Sequence, residues 1–183
     1  MYYPFDLYTR LFYISDVINK LNSGTQRIRV LDVGGRDGKL YEFVNKNIEI
    51  SILDIRENDK GEKNYFVGSI LEKLPFTADQ FDIVTSCETL EHIDVDDRER
   101  ALENMLGLTK DILIFSCPFK SKEVEQAERI VNDYYKEMHG EDHPWLIEHF
   151  QTELPNIAKI EGFLNKSKYQ FTYIPSNNIN TWL

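Results

Sequence analysis

Five short runs rich in β-branched and aromatic residues constrain the fold of this chain more than any other feature. They lie at 28–33, 48–53, 65–67, 81–86 and 112–116. The stretches between them can form helices or connections, and this alternation is typical of parallel strands joined by crossovers. Strands buried on both faces of such a sheet are nearly all apolar, as these runs largely are. The sequence therefore predicts an α/β fold: a doubly wound, mostly parallel sheet with helices on both faces.

A chain of 183 residues has an ordinary length for one domain with a single hydrophobic core, so we predict one domain over 1–183. Leu7, Leu11 and Ile14 have helical spacing and predict a helix over 5–22, within an N-terminal cap at 1–24. A sixth strand is predicted at 169–174. About fifty residues separate it from the fifth, too many for one crossover, so 119–166 is interpreted as a helical insertion. One of its helices runs from Val124 to Met138, and another begins at Pro155.

Composition narrows the function classes. The net charge of −10 disfavours a general nucleic-acid binder, which needs a basic surface to contact phosphates. The N-terminus lacks the pattern of a secretory signal, and no apolar run is long enough for a membrane span, so we expect a cytoplasmic protein. Cys87 and Cys117 do not have metal-binding spacing, and two thiols in such a chain are expected to be reduced.

The stretch VLDVGGRDGKL, from Val30 to Leu40, takes the first strand into a glycine-rich turn, and we expect a helix to follow this turn. Such a turn exposes backbone N–H groups at the carboxyl edge of a sheet, where phosphates and nucleosides bind. Asp54 closes the second strand, 22 residues after Asp32, and a carboxylate there can accept bonds from both ribose hydroxyls. Arg36 and Lys39 occupy positions where the dinucleotide pattern G-x-G-x-x-G needs glycine, so NAD is disfavoured.

The pattern D-x-G-x-x-x-G, together with GSILEKLPFTADQFDIVTSCETLEHI at 68–93, resembles the class I S-adenosylmethionine (SAM)-dependent methyltransferases, in the branch that methylates small molecules. The resemblance implies a Rossmann-like fold and SAM as the cofactor. Family members usually have seven strands, and only six are visible here. We interpret the chain as truncated or naturally short, with the gap filled by another segment or by a second copy, as in a homodimer.

The resemblance also implies which residues bind the cofactor. The acid and the glycines of the turn pass beneath the amino-acid part of SAM, and the later positions meet its ribose and adenine. Two positions depart from the family pattern, because Arg36 replaces a glycine and Ser69 replaces an acid that often meets the adenine. The implied cofactor-binding residues are Asp32, Gly34, Gly35, Gly38, Asp54, Ile55, Ser69, Ile70, Cys87 and Glu88.

His92 is the candidate catalytic residue, because it follows the fourth strand and imidazole has a suitable pKa for a general base. In the alternative reading, Glu88 lines the cofactor pocket while His92 caps a helix or bonds a backbone carbonyl. Methyl transfer does not require a base, since positioning alone can lower the barrier by about 7 to 11 kcal/mol.

The segment HGEDHPWLIEHF is interpreted as a lid over the acceptor. His143, Trp145 and His149 are its candidate substrate-binding residues, with Tyr135 adding apolar surface and Glu148 adding polar selectivity. No metal is expected from His139, His143 and His149, because ligands at i and i+4 need a helix and His143-Pro144 prevents one there.

These observations predict a SAM-dependent methyltransferase that acts on a small-molecule acceptor. The stretch HPWLIEH, followed by a later LP, also looks like methyltransferases of bacterial glycan assembly, which suggests a sugar or glycan-linked substrate. The alternative is a module of the same fold that binds SAM, a nucleoside or a protein partner without catalysis. An enzyme using NAD or a nucleotide sugar ranks third, since the glycine spacing is wrong for it.

Overall fold

A computed structural model describes residues 3, 5–22, 27–37, 39–59, 61–167 and 169–175. Gly38 and residues 176–183 therefore lie outside the described residues, as do 23–24 of the predicted N-terminal cap. The described residues form two compact units, one within 1–89 and 100–116, the other within 90–99 and 117–183.

The first unit contains a five-stranded, fully parallel sheet with the strand order β3-β2-β1-β4-β5. This architecture confirms the predicted α/β, Rossmann-like fold. The central strands lie at the predicted positions because their side chains on both faces are apolar and buried, as Val30, Leu31 and Val84 show. The strands are β1 Ile28–Val33, β2 Ile48–Asp54, β3 Tyr65–Val67, β4 Phe81–Cys87 and β5 Thr109–Ser116.

Helix α1, Phe5–Leu21, confirms the predicted N-terminal helix and covers one face of the sheet. Leu11, Ile14 and Ile18 recur at helical spacing and pack in one cluster with Val30 and Ile83 of the central strands. Helix α2, Arg98–Leu108, leads from β4 to β5 and buries Ala101, Leu102 and Met105. The opposite face of the sheet is also buried, since its side chains alternate along the strands with those that contact α1. Both faces are therefore shielded from water, as the burial of Leu31, Leu53 and Val84 shows.

The prediction of a helix directly after the glycine turn is wrong. The described residues there form two short 3₁₀ turns, Gly35–Asp37 and Leu40–Glu42. Lys39 has a φ of 54°, a left-handed conformation that interrupts a right-handed helix. Leu40 still packs into the core beneath α1, so the segment is anchored without forming an α-helix.

The second unit contains three helices: α3 Lys122–His139, α4 Pro144–Thr152 and α5 Ile157–Lys166. Helix α3 includes the helix predicted from Val124 to Met138, with Tyr134 and Met138 exposed near its C-terminal end. Helix α4 was not predicted. It begins at Pro144, because a first helical residue needs no hydrogen-bonded N–H. Helix α5 begins two residues later than predicted, since the Asn156 side chain accepts bonds from the N–H groups of Ala158 and Lys159.

The sixth strand predicted at 169–174 is wrong, since residues 169–175 have no regular secondary structure and are exposed. β-propensity reflects packing in a pleated, half-buried surface, and this segment has no strand neighbour among the described residues. Strand β5 consequently pairs with β4 alone in the described part of the chain. None of the described helices has the length and apolarity needed to cross a membrane.

Candidate functional site

The carboxyl ends of β1, β2 and β4 lie side by side in the first unit, because the three strands are adjacent and parallel. The glycine turn follows β1, Asp54 ends β2, and Glu88 follows β4. Ligands of open α/β sheets bind outside this edge, where backbone N–H groups and loop side chains converge. The described members of the predicted cofactor set therefore come from loops and strand ends at one edge.

The first two glycines of the turn are required by the protein's own packing. Gly34 has a φ of 76°, and its N–H donates to the carbonyl of Leu53 at 2.8 Å. A Cβ on Gly34 would lie 2.2 Å from the Thr89 hydroxyl oxygen, and one on Gly35 would lie 2.3 Å from Asp32 Oδ2. No side chain fits at either position, which keeps the turn pressed against the ends of β1 and β4.

Asp32 is a buried carboxylate beneath this turn, with 4% of its surface exposed. Thr85, its register partner on β4, donates to Asp32 Oδ1 at 2.8 Å. Burial raises the pKa of Asp32 to about 6, and the nearby negative charge of Asp54 adds to the increase, while the Thr85 bond opposes it. At neutral pH the carboxylate is therefore ionised, and the protein's fold keeps it largely away from water.

Asp54 is 5% exposed, and its carboxylate is engaged on both oxygens. Oδ2 accepts from the backbone N–H of Arg36 at 3.3 Å, while Oδ1 accepts from the N–H of Arg56 at 3.0 Å and from its Nε at 3.3 Å. A carboxylate can accept about four hydrogen bonds. One acceptor position of Asp54 is therefore still free. Rotation of the half-exposed Arg56 side chain would break its bond to Oδ1 and free a second one, so Asp54 can accept from two ribose hydroxyls.

Arg36, the residue that departs from the glycine pattern, has a structural role in this turn. Its Nη2 lies 2.7 Å from Asp59 Oδ2, and its backbone N–H binds Asp54. The side chain thus joins the turn to the loop after β2. An arginine is compatible with this position because its guanidinium reaches Asp59, whereas a side chain on Gly35 would meet Asp32.

Three further residues of the predicted cofactor set follow the ends of β2 and β3, namely Ile55, Ser69 and Ile70. Ile55 follows β2 with 74% of its surface exposed, which provides an apolar platform. The Ser69 hydroxyl oxygen accepts from the N–H of Leu71 at 3.2 Å, so its hydrogen remains suited to donate. Ile70 instead has a buried side chain, and its carbonyl accepts from Asn104 at 2.7 Å, which limits it to backbone contact with a ligand.

Cys87 and Glu88 close the site on the β4 side. Glu88 forms an ion pair of 3.0 Å with Arg10 of α1, and its N–H donates to the carbonyl of Ser116 at 2.9 Å. Burial raises the pKa of the Cys87 thiol to about 12, with the Glu88 charge contributing. Cys87 is therefore a neutral thiol at physiological pH and lacks the reactivity of a nucleophilic cysteine.

In the second unit, His92 and His149 lie together. His92 ends the short turn Leu90–His92, and its Nδ1 lies 2.8 Å from Glu148 Oε2. His149 Nδ1 lies 2.8 Å from Glu128 Oε1 of α3, and the two imidazole centroids are 5.1 Å apart. His92 thus pairs with a carboxylate, whereas the alternative reading expected a helix cap or a carbonyl contact.

The predicted lid residues divide into two groups in the structure. Tyr135 contacts His139 and His143, with ring centroids 4.3 and 4.7 Å apart, and Trp145 lies 6.4 Å from His143. His149 instead belongs with Glu128, which sequence reasoning missed. No spacing in the sequence marks Glu128, which follows Ala127 in α3 and is buried with it in the structure.

Comparisons with known proteins agree with this architecture. Residues 31–113 match the model of a family described as a methyltransferase domain. A SAM-dependent methyltransferase from Archaeoglobus fulgidus aligns with a TM-score of 0.56 and 18% identity, covering 91% of this chain and 74% of that one. A putative methyltransferase from Bacillus halodurans aligns with a TM-score of 0.56 and 16% identity, covering 88% and 67%.

The YcgJ protein from Bacillus subtilis also aligns with a TM-score of 0.56 and 16% identity, covering 84% of this chain and 67% of its own length. At these identities the structural likeness shows the fold. A search of curated proteins gave no significant match to the sequence.

Replacing Gly35 by alanine should destabilise the first unit, because the new Cβ would meet the buried Asp32 carboxylate. Overpacking of this kind typically costs about 1 to 3 kcal/mol in the free energy of unfolding. Gly162→Ala is the matched control, since a Cβ there meets nothing and α5 gains helix propensity of about 0.5 to 1 kcal/mol. Denaturant unfolding measures both, and equal stability of the two variants would contradict the close approach.

The contribution of Asp32 to stability should fall as the pH rises from about 4 through 6, because the folded state binds the Asp32 proton more tightly than the unfolded state does. The raised pKa corresponds to about 2 to 3 kcal/mol. Asp32→Asn keeps an acceptor for Thr85 and removes the titration. The free energy of unfolding of this variant minus that of the wild type should therefore increase over this range. A pH-independent difference would show that Asp32 titrates normally.

Proposed function

We propose, from the match of residues 31–113 to the model of a methyltransferase domain family, that this protein transfers a methyl group from SAM to a small-molecule acceptor. SAM is the proposed cofactor, which the likeness to a SAM-dependent methyltransferase from Archaeoglobus fulgidus supports. The observation that carries the proposal is Asp54 at the end of β2, beside the turn that holds Gly34 and Gly35. A carboxylate at this position can hold a ribose while the turn lies under the rest of the cofactor.

The residues of the first unit fit the three parts of SAM. Ile55 supplies apolar surface for the adenine, and the Ser69 hydroxyl can donate to a ring nitrogen. Asp54 accepts from the ribose hydroxyls. Asp32 is a buried anion at neutral pH, which suits the positively charged amino-acid end of the cofactor. Gly38 is also proposed to contact the cofactor, although it lies outside the described residues.

Bound SAM supplies a methyl group on a sulfonium, ready for in-line displacement by an acceptor atom. The protein's task is then to bind, orient and exclude water, which accounts for much of the rate when geometry is good. A general base at His92 stays a prediction. Its Nδ1 is held by Glu148, so a base at this residue would act through Nε2.

The acceptor is proposed to be small and carbohydrate-like. Trp145 is more than half exposed and lies near His143, an arrangement that could stack on a sugar ring and hydrogen-bond to its hydroxyls. His149 fits this role poorly, because it is buried and pairs with Glu128. A module of the same fold that binds without catalysis is the alternative, and it is supported by the departures from the family pattern at Arg36 and Ser69.

Asp54→Asn should weaken SAM binding about 10- to 100-fold, since it removes charge-assisted bonds to the ribose worth about 1.5 to 3 kcal/mol. Asp111→Asn, an exposed carboxylate on β5, is the matched control and should bind SAM like the wild type. Isothermal titration calorimetry with SAM and with NAD measures both effects. Binding of NAD alone, or an unchanged affinity in Asp54→Asn, would contradict the proposal.

Turnover separates an enzyme from a binding module. Release of S-adenosylhomocysteine should depend on an added acceptor from a panel of sugars, phenols, amines and carboxylates. Tight SAM binding without turnover on any class would favour the module. Preference for glycosides over the other classes would support the proposed acceptor.

A second copy of the chain is proposed to cover β5, whose outer edge has no partner strand among the described residues. Unpaired edges attract other strands and are normally covered. Light scattering should then give about twice the chain mass of 21.6 kDa. A monomeric mass would contradict the predicted homodimer.

A further inference from the structure

We propose that Glu91, His92 and His149 bind a divalent transition-metal ion. One potential ligand atom from each residue lies within 4.8 Å of the other two, and this is the one such group in the described part of the chain. All three belong to the second unit, so the proposed site does not depend on the SAM site.

The ligand types match such an ion. Two imidazoles and one carboxylate suit zinc, iron, cobalt or manganese, whereas magnesium and calcium prefer oxygen ligands alone. Atoms bound to a tetrahedral ion at about 2.1 Å lie about 3.4 Å apart. The cluster would therefore close by about an ångström, a movement that the partly exposed side chain of His92 can make by rotation.

Glu128 orients the His149 ring for metal binding. The side chain of His149 is 9% exposed, and Nδ1 lies 2.8 Å from the buried carboxylate of Glu128. This pairing orients the ring and leaves Nε2, which is buried and has no hydrogen-bond partner among the described residues. A buried polar nitrogen without a partner is costly, and a metal ion would satisfy it.

His92 has the same arrangement, since Glu148 Oε2 lies 2.8 Å from its Nδ1. A carboxylate behind each ligating histidine is the usual support in metal sites, because it fixes the tautomer and increases the basicity of the other nitrogen. The carboxylates of Glu128 and Glu148 also add negative charge near the third ligand, Glu91, which is 1% exposed.

The backbone that carries these ligands is fastened by Arg98. Its guanidinium donates to the carbonyls of Ile93 at 2.9 Å, Glu91 at 3.3 Å and Glu153 at 2.6 Å. The Thr152 hydroxyl donates to the same Glu91 carbonyl at 3.1 Å. The turn that carries Glu91 and His92 is thereby tied to the end of α4, the helix that carries His149.

This site differs from the one considered in the sequence, where His139, His143 and His149 gave no suitable spacing. His139 and His143 instead contact Tyr135. Three protein ligands also leave positions for water or an acceptor oxygen. If metal is bound through His92 Nε2, that nitrogen cannot also act as the general base, so the two roles of His92 exclude each other.

Titration of tag-free, metal-stripped protein with Zn²⁺ tests the site. We expect one equivalent to bind per chain, with His149→Gln and His92→Gln each lowering the affinity at least about 10-fold. Glu128→Gln should lower it about 10- to 100-fold, as loss of a supporting carboxylate typically does. His139→Gln is the matched control and should bind like the wild type, because His139 lies outside the cluster.

Cobalt substitution identifies the ligands. Co²⁺ should give the visible bands of a nitrogen and oxygen site, and a thiolate charge-transfer band would instead indicate Cys87 or Cys117. Circular dichroism on each metal-free variant verifies the fold, so failure of the methyl-transfer proposal leaves this test intact. Absence of stoichiometric Zn²⁺ binding, or equal affinity in the His149 and His139 variants, would overturn the proposal.

Discussion

A buried carboxylate at the end of β1 is the constraint on which the candidate cofactor site depends. Asp32 lies beneath the glycine turn, and its Oδ2 occupies the space that a side chain on residue 35 would need. Thr85 must then supply a hydroxyl from the neighbouring strand. The cost of burying this carboxyl raises its pKa, and at neutral pH the remaining charge is available for a cationic ligand. Burial of the Asp32 charge thus lowers the stability of the fold, whereas the same charge favours binding of a cationic ligand.

The second unit depends on a comparable polar centre. Arg98 joins the turn after β4 to the end of α4 through backbone carbonyls, and Glu128 holds His149 from α3. Buried charges of this kind are tolerated only when their hydrogen bonds are made. The order they impose brings His149 close to Glu91 and His92, although His149 lies 57 positions after His92 in the sequence.

The strands and α1 could be predicted because their periodicity is decided by local burial, which the sequence displays directly. The predicted strand at 169–174 could not be excluded from the sequence, since its apolar alternation is typical of strands. Such a segment forms a strand only where a neighbouring strand pairs with it. Asp54 was identifiable from its distance to the glycine turn. Glu128 was not, because its partner His149 lies on another helix and no spacing rule links them.

The sequence by itself determined the parallel sheet, the glycine turn and the acidic residue at the end of β2, since each follows from local pattern and strand order. Only the tertiary structure decided the role of Arg36, which bonds Asp59 and Asp54 from the turn, and the pairing of His92 with Glu148 and of His149 with Glu128. The physical reason is the distance along the sequence over which each kind of interaction acts. Hydrophobic periodicity acts between neighbouring residues, whereas hydrogen bonds between polar side chains depend on which surfaces the fold brings together.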